Sequence, residues 1–247
     1  MSEPIRTWTI RRFAELDSTN RYLLDEARAG APDGVVVVAD HQTAGRGRLE
    51  RTWEAPPGSS LLVSVLLRPT LEPEQAHRVV MAAALALADA VGEVAGFTPD
   101  LKWPNDLVVG DRKLAGLLAE REPGAGERRP AVIVGAGVNV QWTAFPPELA
   151  EHATACNLEA GRAVDRDAIL DEYLVRLGRR LDVLHAVPSA YRERLATIGR
   201  RVRVEQASGV LTGVAVDVRD AGELVLRADD GAEHVITTAD VVHLRAV

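Results

Sequence analysis

"DLKWPNDLVVGDRKLAGLLAERE", residues 100–122, reads as two strands that meet at Gly110-Asp111 in a hairpin turn. Such a turn makes its strands antiparallel, and the segments around it predict further strands. "AVIVGAGVNV" (131–140) is a buried strand whose small residues, Gly135 to Gly137, leave its backbone open to close approach. "SSLLVSVLLRP" (59–69) is another, closed by Pro69, and "GVVVVAD" (34–40) is apolar on both faces and hence central. A short alternating strand covers 5–13, and a helix follows "DSTN" and stops at Gly30. Residues 73–95 predict an Ala- and Leu-rich helix, apolar almost all round and so deeply buried. "GAGERR" (124–129) is a polar loop, and a helical region runs from Asp165 to about Ala196. Together these elements predict an α+β fold with a mixed, mainly antiparallel sheet.

After Gly199 the texture changes. "RVRVEQ", "LTGVAVDV", "ELVLRA", "EHVITT" and "VVHLR" are short strands separated by glycine turns, the pattern of a small β-barrel. The boundary is placed at 196–200, which divides the chain into 1–196 and 197–247.

The chain has 247 residues and a formal net charge of −7, so any cluster of arginines has to act locally. Six histidines and a single cysteine, Cys156, rule out an internal disulfide and a Cys-rich zinc cage. The N-terminus lacks the apolar core of a signal peptide, and the run "VVMAAALALA" falls well short of the roughly 18 residues that span a membrane. A cytoplasmic protein without membrane contact is expected.

Three segments carry polar groups that a fold alone does not require. In "QTAGRGRLERTW" (42–53), glycines let backbone N–H groups converge on an anion while Arg46, Arg48 and Arg51 supply forked donors. A solvated turn or a nucleic-acid contact would look the same. In "KWPNDL" and "DRKLAG", Pro104-Asn105-Asp106 makes an ordinary turn, yet Lys113 beside an apolar run can project into a pocket and clamp a phosphoryl group. "DSTN" (17–20) is either a helix cap or a set of donors and acceptors for a polar, uncharged ligand. No nucleophile–base pair is visible, and Cys156 has nothing nearby to activate it. A cation-rich, glycine-lined pocket without acid/base machinery suits phosphoryl or nucleotidyl transfer.

Taken in order, "DSTN", "QTAGRGR", "KWPNDL" with "KLAG", and "GAGVNV" resemble the motifs of a biotin protein ligase, and the resemblance covers nearly the whole chain. It implies a class II aminoacyl-tRNA-synthetase-like catalytic domain followed by a small SH3-like β-barrel. It also implies that ATP, with Mg²⁺ help, converts biotin into biotinyl-5′-AMP. The acyl group then passes to one lysine of a biotin carboxyl carrier domain. By resemblance, Ser18, Thr19, Asn20 and Gln42 bind the biotin head group, and Gly116 and Gly135 line its pocket. Arg46, Gly47 and Arg48 belong to a loop that closes over the ligand. Lys113 is the cation shared by carboxylate and α-phosphate, and with Arg48 it forms the catalytic pair. Arg51, Trp53, Asn105 and Asn139 hold the adenylate end, while no metal ligands are assigned.

One departure is Glu50, which stands where the family's loop commonly has a second glycine. The pattern starts at residue 17, which leaves no room for a DNA-reading domain; a monofunctional ligase with no specific DNA partner is expected. Self-association into a homodimer stays open. A lipoate–protein ligase and a nucleic-acid-binding module are the competing readings.

Overall fold

The computed structural model describes residues 6–70, 75–124, 129–206, 209–237 and 240–243. Most of the polar loop at 124–129 lies outside these residues.

Strand β1 (Thr9–Leu16) runs into Asp17 and Ser18, and Ser18 caps helix α1 (Thr19–Arg28) by accepting a hydrogen bond from the Arg21 N–H at 3.4 Å. The helix returns the chain to β2 (Val35–Gln42), which pairs parallel to β1 as this helical crossover requires. An arginine-rich loop with one 3₁₀ turn at Arg48–Glu50 leads to β3 (Ser60–Leu67), buried along its whole length. Helix α2 (His77–Ala95) follows and ends at Gly96, whose left-handed φ of 84° only glycine adopts without strain. Next come β4 (Asp100–Lys102), β5 (Asp106–Val109), β6 (Arg112–Glu122) and β7 (Ala131–Asn139). The expected hairpin at Gly110-Asp111 joins β5 to β6. The first predicted strand is broken into two by the turn at Trp103–Asn105, so residues 100–122 hold three strands.

Two short helices, α3 (Pro147–Ala150) and α4 (Cys156–Ala160), precede α5 (Arg166–Asp182) and α6 (Val187–Glu193). The helical region predicted over 165–196 is thus two helices. Sheet order is β1-β2-β3-β7-β6-β5-β4, antiparallel except for the β1–β2 pair.

The two faces of this sheet differ in composition. On one face Val63, Val65, Val134, Ala136 and Val138 join the core formed with α2, α5 and α6. Helix α2 is apolar nearly all round because the sheet lies on one side of it and α5 on the other. On the opposite face α1 covers only one end, where Leu23 and Ala27 pack on Val35, Val37, Leu66 and Ile133. The rest of that face is left for something else.

The C-terminal strands β8 (Arg201–Gln206), β9 (Gly209–Val218), β10 (Leu224–Ala228), β11 (Glu233–Ile236) and β12 (Asp240–His243) form a second antiparallel sheet, in the order β11-β10-β9-β8-β12. Among the described residues no pairing joins β11 to β12. The segment that leads into this sheet is tied down: Leu101 and Leu195 form a bridge, and Thr197 Oγ1 accepts the Trp103 N–H at 3.0 Å.

Ala86 on α2 is fully buried within the core. Ala86→Leu is expected to overpack the core and cost about 1–3 kcal/mol. Urea denaturation should show this as a lower midpoint at unchanged slope.

Candidate active site

The uncovered part of the sheet face forms a cleft of about 540 Å³. Its floor is nearly bare backbone. Gly137 pairs with Gly116 across β6 and β7, while Gly135 pairs with Leu118 on one side and Ser64 on the other. A Cβ on Gly135 would overlap Asn20 Oδ1, and one on Gly137 would lie 2.5 Å from the Trp53 ring. Glycine is needed at both positions because other side chains occupy the space.

At one end of the cleft a buried polar network gathers. Thr19 donates from both its N–H (2.8 Å) and its hydroxyl (2.9 Å) to Gln42 Oε1. Ser64 Oγ lies 2.7 Å from Thr19 Oγ1 and donates to Asn20 Oδ1 at 2.6 Å. Asn20 Nδ2 donates to Glu120 Oε2 at 2.9 Å and to the Leu118 carbonyl at 3.2 Å. Ser18, Thr19 and Asn20 are only 3–4% exposed. The cap expected in "DSTN" is Ser18, and the next two side chains, Thr19 and Asn20, build a polar wall beside the cleft.

The other end is cationic. Arg48 Nη1 donates there to Asn105 Oδ1 at 3.4 Å, while Arg46 reaches back to the polar wall by pairing with Glu120, which also accepts from Asn20. Asn105 is itself fixed by donating from Nδ2 to the Leu117 carbonyl at 2.6 Å. Lys113 Nζ lies 2.7 Å from Asp106 Oδ1 and 5.5 Å from the centre of the Trp53 ring. The Trp53 indole N–H is buried without a hydrogen-bond partner among the described residues.

Lys113 reaches the cleft through a β-bulge. In a regular strand, residues an odd number apart face opposite sides, so Lys113 and Gly116 would be separated. Here Leu107 pairs with Ala115 but Val108 pairs with Lys113, which leaves Leu114 as the extra residue. The bulge sends Leu114 into the core and returns Lys113 to the face of Gly116. A Cβ on Gly116 would lie 3.0 Å from Lys113 Nζ, which places both on one side.

The remaining sequence-selected residues fall as follows. Ser18, Gln42, Gly47, Arg51 and Asn105 line the cleft with those already described. Asn139 does not line it. It is 5% exposed, and its Nδ2 donates to the Thr154 carbonyl at 3.0 Å. Thr154 N–H in turn donates to the Lys113 carbonyl at 2.9 Å, so Asn139 supports the strand that carries the lysine. Cys156 is fully buried, and burial pushes its thiol up to about 12, which excludes a nucleophilic role. The loop's left-handed residue is Leu49, with φ 52°, and not Glu50. Sequence reasoning missed Ser64, Glu120 and the placement of Asp106. Ser64 had a signal, being a polar residue inside an apolar strand; Glu120 sits in a charged run that reads as a strand end.

A wider cavity of about 850 Å³ adjoins the cleft across the arginine loop, bounded by His77, Met81 and Gly222. Trp103 Nε1 donates to the Gly222 carbonyl at 2.8 Å, which ties the C-terminal sheet to this wall. Among the described residues no group of three His, Cys, Asp or Glu side chains could hold a metal, and no helix is long and apolar enough to cross a membrane.

Residues 13–139, which supply nearly all of the cleft, match the biotin/lipoate A/B protein ligase family. The chain belongs to that family. Residues 197–244 match the biotin protein ligase C terminal domain. The biotin–[acetyl-CoA-carboxylase] ligase of Mycobacterium tuberculosis is 41% identical over 244 residues, covering 94% of this chain and 88% of that one. The bifunctional ligase/repressor BirA of Bacillus subtilis is 32% identical over 233 residues, covering 92% of this chain and 71% of that one. A solved structure of the biotin protein ligase from Aquifex aeolicus in complex with biotin and ATP superposes with a TM-score of 0.81 at 26% identity, covering 96% of this chain and 99% of that one. Within the ligase family's fold, then, the cleft of this chain joins a polar wall to a cationic end over a glycine floor.

The overlap at Gly137 makes a direct test of the floor. Gly137→Ala should displace Trp53 and destabilise the protein by about 1–3 kcal/mol through overpacking. In a Trp53→Ala background the same change should cost much less, because the ring it strikes is gone. A double-mutant cycle by chemical denaturation measures that coupling.

Proposed function

We propose that this chain is an ATP-dependent ligase that converts biotin to biotinyl-5′-AMP and transfers the biotinyl group to a lysine of a biotin carboxyl carrier domain. The observation that carries this reading is the convergence of four separated sequence motifs on one cleft, polar at one end and cationic at the other. The names of the relatives agree with it: one is a biotin–[acetyl-CoA-carboxylase] ligase, and a structural neighbour holds biotin and ATP. The match of residues 197–244 to a biotin ligase domain favours biotin over lipoate. In a thermal shift, biotin and not lipoate should raise the melting temperature.

Ser18, Thr19, Asn20 and Gln42 are assigned to the ureido ring. Its N–H and carbonyl groups need partners in a dry site, since a buried polar group left unpaired costs about 1–3 kcal/mol. Gly116 and Gly135 are assigned to the lining of the biotin pocket. In the first step a biotin carboxylate oxygen bonds to the α-phosphorus, and the bond to pyrophosphate breaks. Two anions approach each other only with positive charge between them, and Lys113 and Arg48 are assigned that role. Arg51, Trp53 and Asn105 are assigned to the adenylate, where the free indole N–H is an available donor. Asn139 acts behind them by holding the segment bonded to Lys113. In the second step the acceptor amine attacks the acyl carbon, AMP leaves and the amine loses a proton.

Mg²⁺ is proposed to enter with ATP as part of the substrate. Such an ion is commonly held by phosphates, waters and one or two carboxylates, so it needs no dedicated cage. No DNA partner is assigned, because a net charge of −7 opposes contact with a phosphate backbone. We take residues 1–196 as the catalytic domain and 197–247 as a second domain. Its buried side chains Val202, Val204, Ala215, Leu224 and Leu226 suit an SH3-like barrel. The larger sheet, with helices α2 and α5 behind it and a ligand face in front, suits a class II synthetase-like fold.

Incubation with biotin, ATP and a carrier domain should add one biotinyl group to the carrier by intact mass; an unchanged mass would refute the reading. Lys113→Ala and Arg48→Ala should each slow pyrophosphate release by about 10²–10³ while the melting temperature stays near that of the wild type. Loop closure has its own test. Biotinyl-5′-AMP is destroyed by water, so Arg46, Gly47 and Arg48 are assigned to a lid. Trypsin should cut after Arg46, Arg48 or Arg51 more slowly once biotin and ATP are added, whereas equal rates in both conditions would argue against a lid.

A further inference from the structure

Across the cleft face runs a row of paired residues from neighbouring strands. Gly137 of β7 pairs with Gly116 of β6, Gly116 with Asp106 of β5, and Asp106 with Lys102 of β4. Residues directly paired in this way project to one side of a sheet. All four line the cleft. Lys102 therefore closes the cationic end of the row, two strand spacings or about 10 Å from Gly116.

Lys102 differs from Arg46 and Lys113 in making no direct ion pair, and Asp106 and Asp111 act on it only through space. Among the described residues its ammonium makes no ion pair and no hydrogen bond. The carboxylates around it are already engaged: Asp106 with Lys113 at 2.7 Å and Asp111 with Arg200 at 3.2 Å. Glu205 of β8, which also borders the cleft, pairs with Arg203 at 2.6 Å. Yet Lys102 is half-buried. That burial pushes its ammonium below the usual lysine range, and nearby Lys113 adds to the effect while Asp106 opposes it. A half-desolvated cation without a partner is a costly feature unless an anion arrives to meet it.

The structure assigns Lys102, we infer, to the β- and γ-phosphates of ATP, the part that leaves as pyrophosphate. This inference rests on the ligase reading above. Lys113 and Arg48 serve the atoms where the new bond forms. Lys102 lies further along the row, where the leaving group would extend. When the bond between the α-phosphorus and the bridging oxygen breaks, its electron pair stays with the pyrophosphate. A fixed ammonium there stabilises the developing charge. Lys102 thus contributes to adenylation alone, because no pyrophosphate is present when the acyl group moves to the acceptor.

The test separates the two half-reactions. Lys102→Ala should raise KM for MgATP in biotin-dependent pyrophosphate release by about 10- to 100-fold, the worth of one hydrogen bond to a charged group. It should also weaken inhibition by added inorganic pyrophosphate to a similar degree. Transfer from preformed biotinyl-5′-AMP to the carrier domain should proceed at the wild-type rate, and Lys102→Arg should recover most of the loss. An unchanged KM for MgATP overturns the inference. Equal losses in both half-reactions also overturn it, because they would indicate a merely structural role. Failure of the wild-type enzyme to form any adenylate would instead overturn the ligase reading itself.

Discussion

A sheet can hold a ligand flat against its backbone only where side chains are absent from that face. In this chain Gly116, Gly135 and Gly137, three positions on two adjacent strands, leave the floor of the cleft bare. The space they vacate is shared by Asn20 and Trp53, whose atoms stand where the Cβ atoms would be. The glycines therefore do more than leave a gap: they set how closely the polar wall and the indole approach the sheet. Every other feature of the cleft is arranged around that floor.

Bare backbone is a weak scaffold by itself, since glycine adds no side chain to pack and loses much entropy on ordering. The opposite face compensates. Valines and alanines of β3 and β7 pack against α2, which α5 covers in turn, so the strands are held from behind. A site built on such strands keeps its geometry better than one built on loops. The β-bulge at Leu114 uses the same core, because the extra residue is buried there while Lys113 is turned to the cleft. One irregularity thus serves both faces at once.

The arginine loop is organised differently. It closes on itself through the Arg46–Thr52 bridge and the hydrogen bond from the Trp53 N–H to the Gly45 carbonyl at 3.0 Å. Its left-handed residue is leucine, half exposed, at a cost of about 1–2 kcal/mol relative to glycine. Strain of this kind is stored at functional loops when surrounding contacts over-determine the backbone. Here those contacts include the Arg46–Glu120 pair and Arg48 against Asn105.

Much of this was legible in the residues alone. Alternating and continuous apolar runs marked the strands, the all-round apolar segment marked α2, and glycines beside cations marked a surface for anions. Those are local properties, and a short window of sequence carries them. The hydrogen bonds of Ser64 and Glu120 were not legible, because their partner Asn20 lies 44 residues from Ser64 and 100 from Glu120. Nor was the placement of Asn139, whose amide donates to the carbonyl of Thr154, the residue whose N–H holds the Lys113 carbonyl. Most telling is the pair Lys113 and Gly116. Three residues apart on a strand, they face opposite sides by periodicity, and only the slip in β5–β6 pairing brings them together. Sequence determined which groups this protein has to offer. Tertiary structure decided which of them meet, because register and bulge placement are set by strands packing against a common core and not by the spacing of residues along the chain.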